Sequence, residues 1–239
     1  QVAAMKNHPD QQSVIDVSKS VEKITGFTNC YVRLYPYNGY GNELIIRDII
    51  AHEKPDALLH MSDPRYFTWL YQMDTSIRRD IPMCYYHVWD NDPIPTYNKS
   101  IYESCDWIGC ISKKTYDFVK TVTPNIKSSY IPHGVSSSDF YKIQDTTEID
   151  FARKTILDDK VYDFVVFSNN VNIPRKQLPN LLLSFEEFSK RNDKKVCLVC
   201  HCNPSSQADI NLRSIASEFC KTSDIIFTES QLSTDDLNK

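Results

Sequence analysis

The chain has 239 residues, 41% of them hydrophobic and 24% charged, with a formal charge of -4. That balance suits a globular protein with one large core or two modest ones, at about 100–200 residues per domain. Without a basic excess a nucleic-acid binder is disfavoured, no apolar run reaches the roughly 18 residues of a membrane helix, and the opening QVAAMKNHPDQQ lacks a signal-peptide apolar region. The expectation is a cytoplasmic protein with no transmembrane segment, peripheral membrane contact staying open.

In chain order, Val14, Val17, Val21 and Ile24 recur at helical spacing, and residues 30–35 read as a strand. Gly39 and Gly41 punctuate a turn, after which Leu44, Ile45, Ile49 and Ile50 predict a helix stopped by Pro55. Strands follow at 57–60, 83–88, 107–111 and 128–131. Between them lie helical stretches at 64–73 and 97–104, and a helix capped by Ser112 that carries Tyr116, Phe118 and Val119. This alternation indicates βαβ units and a parallel sheet. Residues 135–160 are polar, apart from a short helical piece near 151–156, and read as a connection.

A second series then starts. The stretch VYDFVVFSNNVNIPRK sets the apolar run Phe164, Val165, Val166, Phe167 before a polar loop. With no alternation, the run predicts a parallel strand covered on both faces. The loop carries Asn169, Asn170 and Asn172, and Pro174 precedes the adjacent cations Arg175 and Lys176. A helix at 178–191 presents Leu181, Leu182, Phe185 and Phe188 on one face. A strand at 195–201, a helix at 210–220, a strand at 224–228 and Ser233 as an N-cap complete the chain. Three strands fall short of the roughly five or six of a doubly wound domain. The fold class is therefore read as α/β, with two Rossmann-like domains at residues 1–145 and 146–239, the second truncated.

Two cations between a strand's carboxyl end and a helix start favour an anionic, phosphate-bearing ligand; they also read as solvated charges at a helix start. His87, in YYHVWDND, is either a hydrogen-bonded structural histidine or a functional one. Asp90 and Asp92 invite a metal, but Pro93 and Pro95 follow and no further ligand is evident, which favours a loop that fixes backbone geometry. The eight cysteines read as reduced core residues. Cys197, Cys200 and His201 match a haem-attachment spacing and Cys202 adds a possible ligand, yet they lie in a predicted buried strand whose neighbours point to opposite faces. No metal is expected.

The segments CDWIGCISKKTYDFVK, YIPHGVSSSDFYKI and VVFSNNVNIPRKQLPNLLLSFEEF, in this order, resemble family 4 glycosyltransferases of the GT-B fold, over residues 42–239. The resemblance implies transfer of a sugar from a nucleotide diphosphate sugar donor with retention of configuration, without metal or cofactor, to a glycan, lipid or small-molecule acceptor. It implies that Arg175 and Lys176 neutralise the donor diphosphate, that Asn170 and Asn172 bond donor phosphate or sugar, and that His87 faces the reacting sugar. His133 and Gly134 would lie beside an interdomain cleft, Gly134 taking special backbone angles. The chain departs from the family where Asn170 and Val171 stand in place of a loop arginine, where Gly39 and Gly41 are assigned to a turn later than the family's glycine-rich loop, and where the paired glutamates would fall after Lys239. The chain as given is thus expected to be an inactive fragment. Two other classes stay in view: a nucleotide-sugar epimerase or phosphorylase on the same fold, and a non-catalytic nucleotide or glycan-binding module.

Overall fold

The computed structural model describes residues 2–4, 14–37, 39–89, 91–205 and 210–238. The chain divides into two compact units, Gln1–Gly134 and Val135–Lys239, so residues 135–145 go with the second.

The first unit opens with β1 (Val2–Ala4), β2 (Ile15–Asp16), α1 (Ser18–Thr25) and β3 (Arg33–Tyr37). β3 lies between a parallel β1 and an antiparallel β2 in a small sheet of its own. The helix expected from Val14 therefore starts later. Ile15 and Asp16 pair with Leu34 and Arg33 instead, and Gly26, in the left-handed region at φ 74°, ends the helix. Next come α2 (Glu43–Glu53), β4 (Leu58–Met61), α3 (Thr68–Tyr71), α4 (Asp74–Arg78), β5 (Met83–His87), α5 (Lys99–Glu103), β6 (Trp107–Cys110), α6 (Lys113–Val122) and β7 (Ser128–Tyr130).

The four later strands form a parallel sheet in sequence order, β4-β5-β6-β7. Each crossover steps to the next neighbour in the same direction, so the right-handed rule sends the connecting helices to one face. Met83 and Tyr85 of β5 and Ile108 of β6 face that layer and are buried with Leu70, Ile77, Tyr102 and Val119. Their neighbours Cys84, Tyr86 and Trp107 turn to the other face and stay half-buried. There the Trp107 ring lies across Gly109: a Cβ at Gly109 would stand 2.5 Å from the indole and 3.2 Å from Tyr86. Ser112 caps α6 as its sequence predicts, accepting from the Thr115 amide.

The second unit contains α7 (Thr147–Leu157), β8 (Phe164–Asn169), α8 (Leu178–Lys190), β9 (Val196–His201), α9 (Leu212–Phe219), β10 (Asp224–Thr228) and α10 (Thr234–Asn238). Its parallel strands are ordered β10-β9-β8, each later strand lying farther from the first. Leu182, Phe185, Leu198, Cys200 and Leu212 fill one side of the sheet, and Leu157, Tyr162, Cys197 and Val199 the other. Both faces of this parallel sheet are therefore covered. They also separate Cys197 from Cys200 and Cys202, whose thiols pack on the opposite side.

The Phe164 run is not covered on both faces as predicted. β9, not β8, is the strand covered on both sides; β8 is the edge of the described sheet, with Phe164 55% and Phe167 58% exposed. Burial of a strand depends on its rank in the sheet, which a local apolar run does not encode.

Candidate functional site

In an open α/β sheet ligands bind beyond the carboxyl ends of the strands. In the second unit that end is formed by Asn169, His201 and Thr228, the last residues of β8, β9 and β10. His201 Nδ1 lies 2.8 Å from Thr228 Oγ1, and the Asn170 amide donates to the His201 carbonyl at 3.4 Å. The Asn170 side chain donates to Ser168 Oγ at 3.4 Å, a long contact. Arg213 reaches across to Glu229 at 2.5 Å, and its guanidinium lies over Phe227. His201 and Thr228 were visible in the sequence only as the final polar residues of two strands.

Pro174–Lys176 forms a single 3-10 turn. Proline fixes its first φ, and Gln177 at φ 53° turns the chain directly into α8. The Gln177 side chain folds back onto the Pro174 carbonyl at 2.8 Å and receives Asn180 at 2.7 Å, so it does not cap the helix amides. Arg175 and Lys176 are exposed, and no side-chain hydrogen bond or ion pair engages either among the described residues. Two cations thus stand without a counterion among the described residues, beside a helix N-terminus that no side chain caps, where the helix dipole also favours negative charge.

Asn172 is engaged within the protein. It is 3% exposed, and its amide nitrogen donates to the carbonyls of Pro204 at 3.3 Å and Ile210 at 3.0 Å. Its amide nitrogen clamps the loop after β8 to the loop after β9, while Oδ1 is buried without a partner among the described residues. The sequence could not separate the two uses, since an amide in a polar loop serves either.

In the first unit, His87 ends β5 as expected and is enclosed among core residues. Its ring is 0% exposed, packed at 4.8 Å from Tyr85 and 5.2 Å from Tyr102. Nε2 lies 2.7 Å from the Tyr102 hydroxyl, while Nδ1 is buried without a partner among the described residues. Burial drives its pKa down to about 4, against the opposing pull of Asp63, so the ring is neutral near pH 7. The alternation of β5 turns Met83, Tyr85 and His87 inward together, which makes His87 a core residue in this conformation.

The exposed His133 ring lies parallel to Tyr86, centroids 5.4 Å apart, and Tyr86 donates to the Ile131 carbonyl at 2.7 Å. Gly134 is exposed, lies outside the left-handed region, and has open space where a Cβ would stand, so no special backbone angle requires glycine there. Asp92 is ion-paired with Lys114; Asp90 lies outside the described residues. Gly39 and Gly41 prove to follow β3 directly and to precede α2, a strand, glycine turn and helix in immediate succession.

No family model matches the chain, and no curated protein matches it in sequence. Among solved structures it is similar to a glycosyltransferase from Rickettsia africae ESF-5, with 14% identity and a TM-score of 0.56, covering 89% of this chain and 57% of that one. A structure described as a UDP-N-acetylglucosamine 2-epimerase from Listeria monocytogenes aligns at 13% identity and a TM-score of 0.48, over 92% of this chain and 60% of that one. The first similarity shows the fold: an α/β chain with Rossmann-like sheets of the GT-B kind, spanning 57% of the length of that glycosyltransferase.

Proposed function

We propose that this chain is part of a glycosyltransferase whose donor is a nucleotide diphosphate sugar, and that its second unit holds the donor's diphosphate. The observation that carries this is the exposed, unpartnered pair Arg175 and Lys176 between the carboxyl end of β8 and the start of α8. A diphosphate leaving group gains negative charge as the sugar departs, and fixed cations with helix amides stabilise that charge where it develops. Asn170 and the His201–Thr228 pair supply hydrogen-bonding groups for phosphate or ribose hydroxyls.

The finer assignment, to a retaining and metal-independent family 4 enzyme, draws on the resemblance of the IPHGV and NIPRK segments. In this proposal Asn172 holds the donor loop in place, His87 and Tyr102 support the end of β5 from beneath, and His133 offers an exposed ring on Tyr86. Among the described residues no helix is long and apolar enough to cross a membrane.

Calorimetry with UDP and GDP tests the donor site. Replacing both Arg175 and Lys176 with Ala should weaken nucleoside-diphosphate affinity by about two orders of magnitude, since charge-assisted contacts are the strong ones and do not add fully. Unchanged affinity in the double variant would remove the proposal's footing.

A further inference from the structure

The loops that follow β4 and β5 in the first unit bring a group of aromatic and charged side chains together. Asp63 accepts the Arg65 amide at 3.0 Å, which starts the single 3-10 turn Pro64–Tyr66. Arg65 folds back on the same carboxylate, with Nε 2.9 Å from Oδ1 and Nη2 donating to Oδ2. Its guanidinium also lies over the Trp89 ring, 5.2 Å from the centroid, and Trp89 meets Tyr97 edge to face at 5.9 Å. Beside Arg65 in the chain, Tyr66 stacks on Tyr40 at 4.4 Å, the two rings within 8° of parallel.

Both loops are tied to the interior. The hydroxyl of buried Tyr85 donates to the Ser62 carbonyl at 3.2 Å, and that of buried Thr115 to the Trp89 carbonyl at 2.7 Å. Trp89 Nε1 donates to the Asn91 carbonyl at 3.0 Å, which fixes the indole itself. The tyrosine rings, in contrast, open to solvent: Tyr97 is 61% exposed, and Tyr40 and Tyr66 are half-exposed. Aromatic surface gathered on anchored loops at the carboxyl ends of parallel strands, and left in water, marks a place where something binds. The charges at its centre balance, since Asp63 neutralises Arg65. With Nε and Nη2 turned to Asp63, the guanidinium directs Nη1 away from that carboxylate.

We propose that this surface binds a neutral saccharide, with a sugar ring lying on the exposed tyrosines and its hydroxyls on the Asp63–Arg65 pair. A pyranose turns C–H groups toward its faces, and these suit the negative face of an aromatic ring. Its hydroxyls both donate and accept, so a neighbouring pair of them can serve Asp63 and Arg65 together. A fatty chain would cover the pair and leave it desolvated without a partner. A phosphate would meet a guanidinium whose charge is already balanced. A proline-rich segment also favours aromatic surfaces, but it has no N–H to give the carboxylate. For the transferase proposed above, this names the acceptor as a glycan, and that naming rests on the transferase reading. The binding itself uses the first unit alone.

Titration of the ¹⁵N-labelled 239-residue chain with cellobiose, chitobiose, lactose and mannobiose tests the proposal, with octanol and decaproline as the competing chemistries. The readout is the indole N–H resonance of Trp89, assigned with Trp89→Phe, and Trp69 and Trp107 serve as references. At least one disaccharide should move the Trp89 signal saturably and leave Trp107 in place. Tyr97→Ala and Arg65→Ala, both at exposed side chains, should each weaken that binding about three- to tenfold. A Trp89 signal that none of the four disaccharides moves up to about 50 mM overturns the proposal. So does a response to octanol or decaproline alone, or disaccharide binding that ignores both variants. UDP binding is followed separately on the unaltered chain. Loss of saccharide binding with UDP binding kept removes this inference alone, and the reverse removes only the diphosphate reading.

Discussion

Glu186 offers a sharp test of how the second unit is held together. It is a carboxylate on α8, 2% exposed, facing the turn that leads into β10. Burial alone would raise its pKa. The Ser223 hydroxyl at 2.8 Å, the Ser223 amide at 3.0 Å and the Thr222 amide at 3.1 Å outweigh that and hold it at about 2. Lys190 lies farther off, at 3.6 Å. A shift from 4.5 to about 2 corresponds to about 3 kcal/mol at neutral pH, at about 1.4 kcal/mol per pKa unit.

The variant Glu186→Gln keeps the shape but turns an amide NH₂ toward groups that are themselves donors. At least one backbone amide is then left unpaired, a cost of about 1–3 kcal/mol that overlaps with the first figure and does not add to it. Because the folded carboxyl has the lower pKa, its contribution is present above the unfolded value and is lost as pH falls from about 4.5 toward 2. Hydrogen exchange at the amides of β9, the central strand, reads the opening of this unit within the whole chain. At pH 7 the variant should exchange about a hundredfold faster than the unaltered protein, and at pH 3 the gap should narrow to about tenfold. Equal protection at pH 7, or a gap that ignores pH, would refute this account of the turn.

The remaining predictions concern other buried groups. Asn172→Ala should destabilise the second unit by about 1–2 kcal/mol through the lost bonds to Pro204 and Ile210, while UDP affinity changes less than about threefold; a tenfold loss of affinity with stability intact would return the residue to the ligand. Gly109→Ala forces the Trp107 ring off its seat and off Ser129, so urea unfolding followed by tryptophan emission should show a loss of about 1–3 kcal/mol; an unchanged midpoint would contradict the packing. His60 and His87, each with a pKa near 4, stay neutral in the folded chain while the unfolded chain takes up protons below about pH 6.5. Stability of the first unit should therefore fall as pH drops, by about 2 kcal/mol per ring at pH 5; imidazole signals titrating near 6.5 in the folded protein would disprove it.

The succession of elements was largely legible in the sequence, because apolar spacing and turn chemistry are local. The last strand occupies 224–228 as predicted, and Ser112 and Ser233 sit at helix starts. What escaped depends on partners distant along the chain. The α-helix glimpsed at 151–156 runs over Thr147–Leu157, its exposed polar flanks masking the period. The inward turn of His87 is set by the alternation of β5 against Tyr102, fifteen residues away, and the engagement of Asn172 by carbonyls at positions 204 and 210. The cations of the candidate site were readable since charge beside a strand end needs no distant partner.

The outer margin of β8 carries a practical warning. Along FVVFSN there is no lysine and no proline to discourage a visiting chain, and two phenylalanine rings flank peptide groups that no described strand engages on that side. Such a margin is a template on which like molecules stack. Concentrated preparations of the 239-residue chain will therefore tend to clump through this margin first, with the folded core of each molecule still intact.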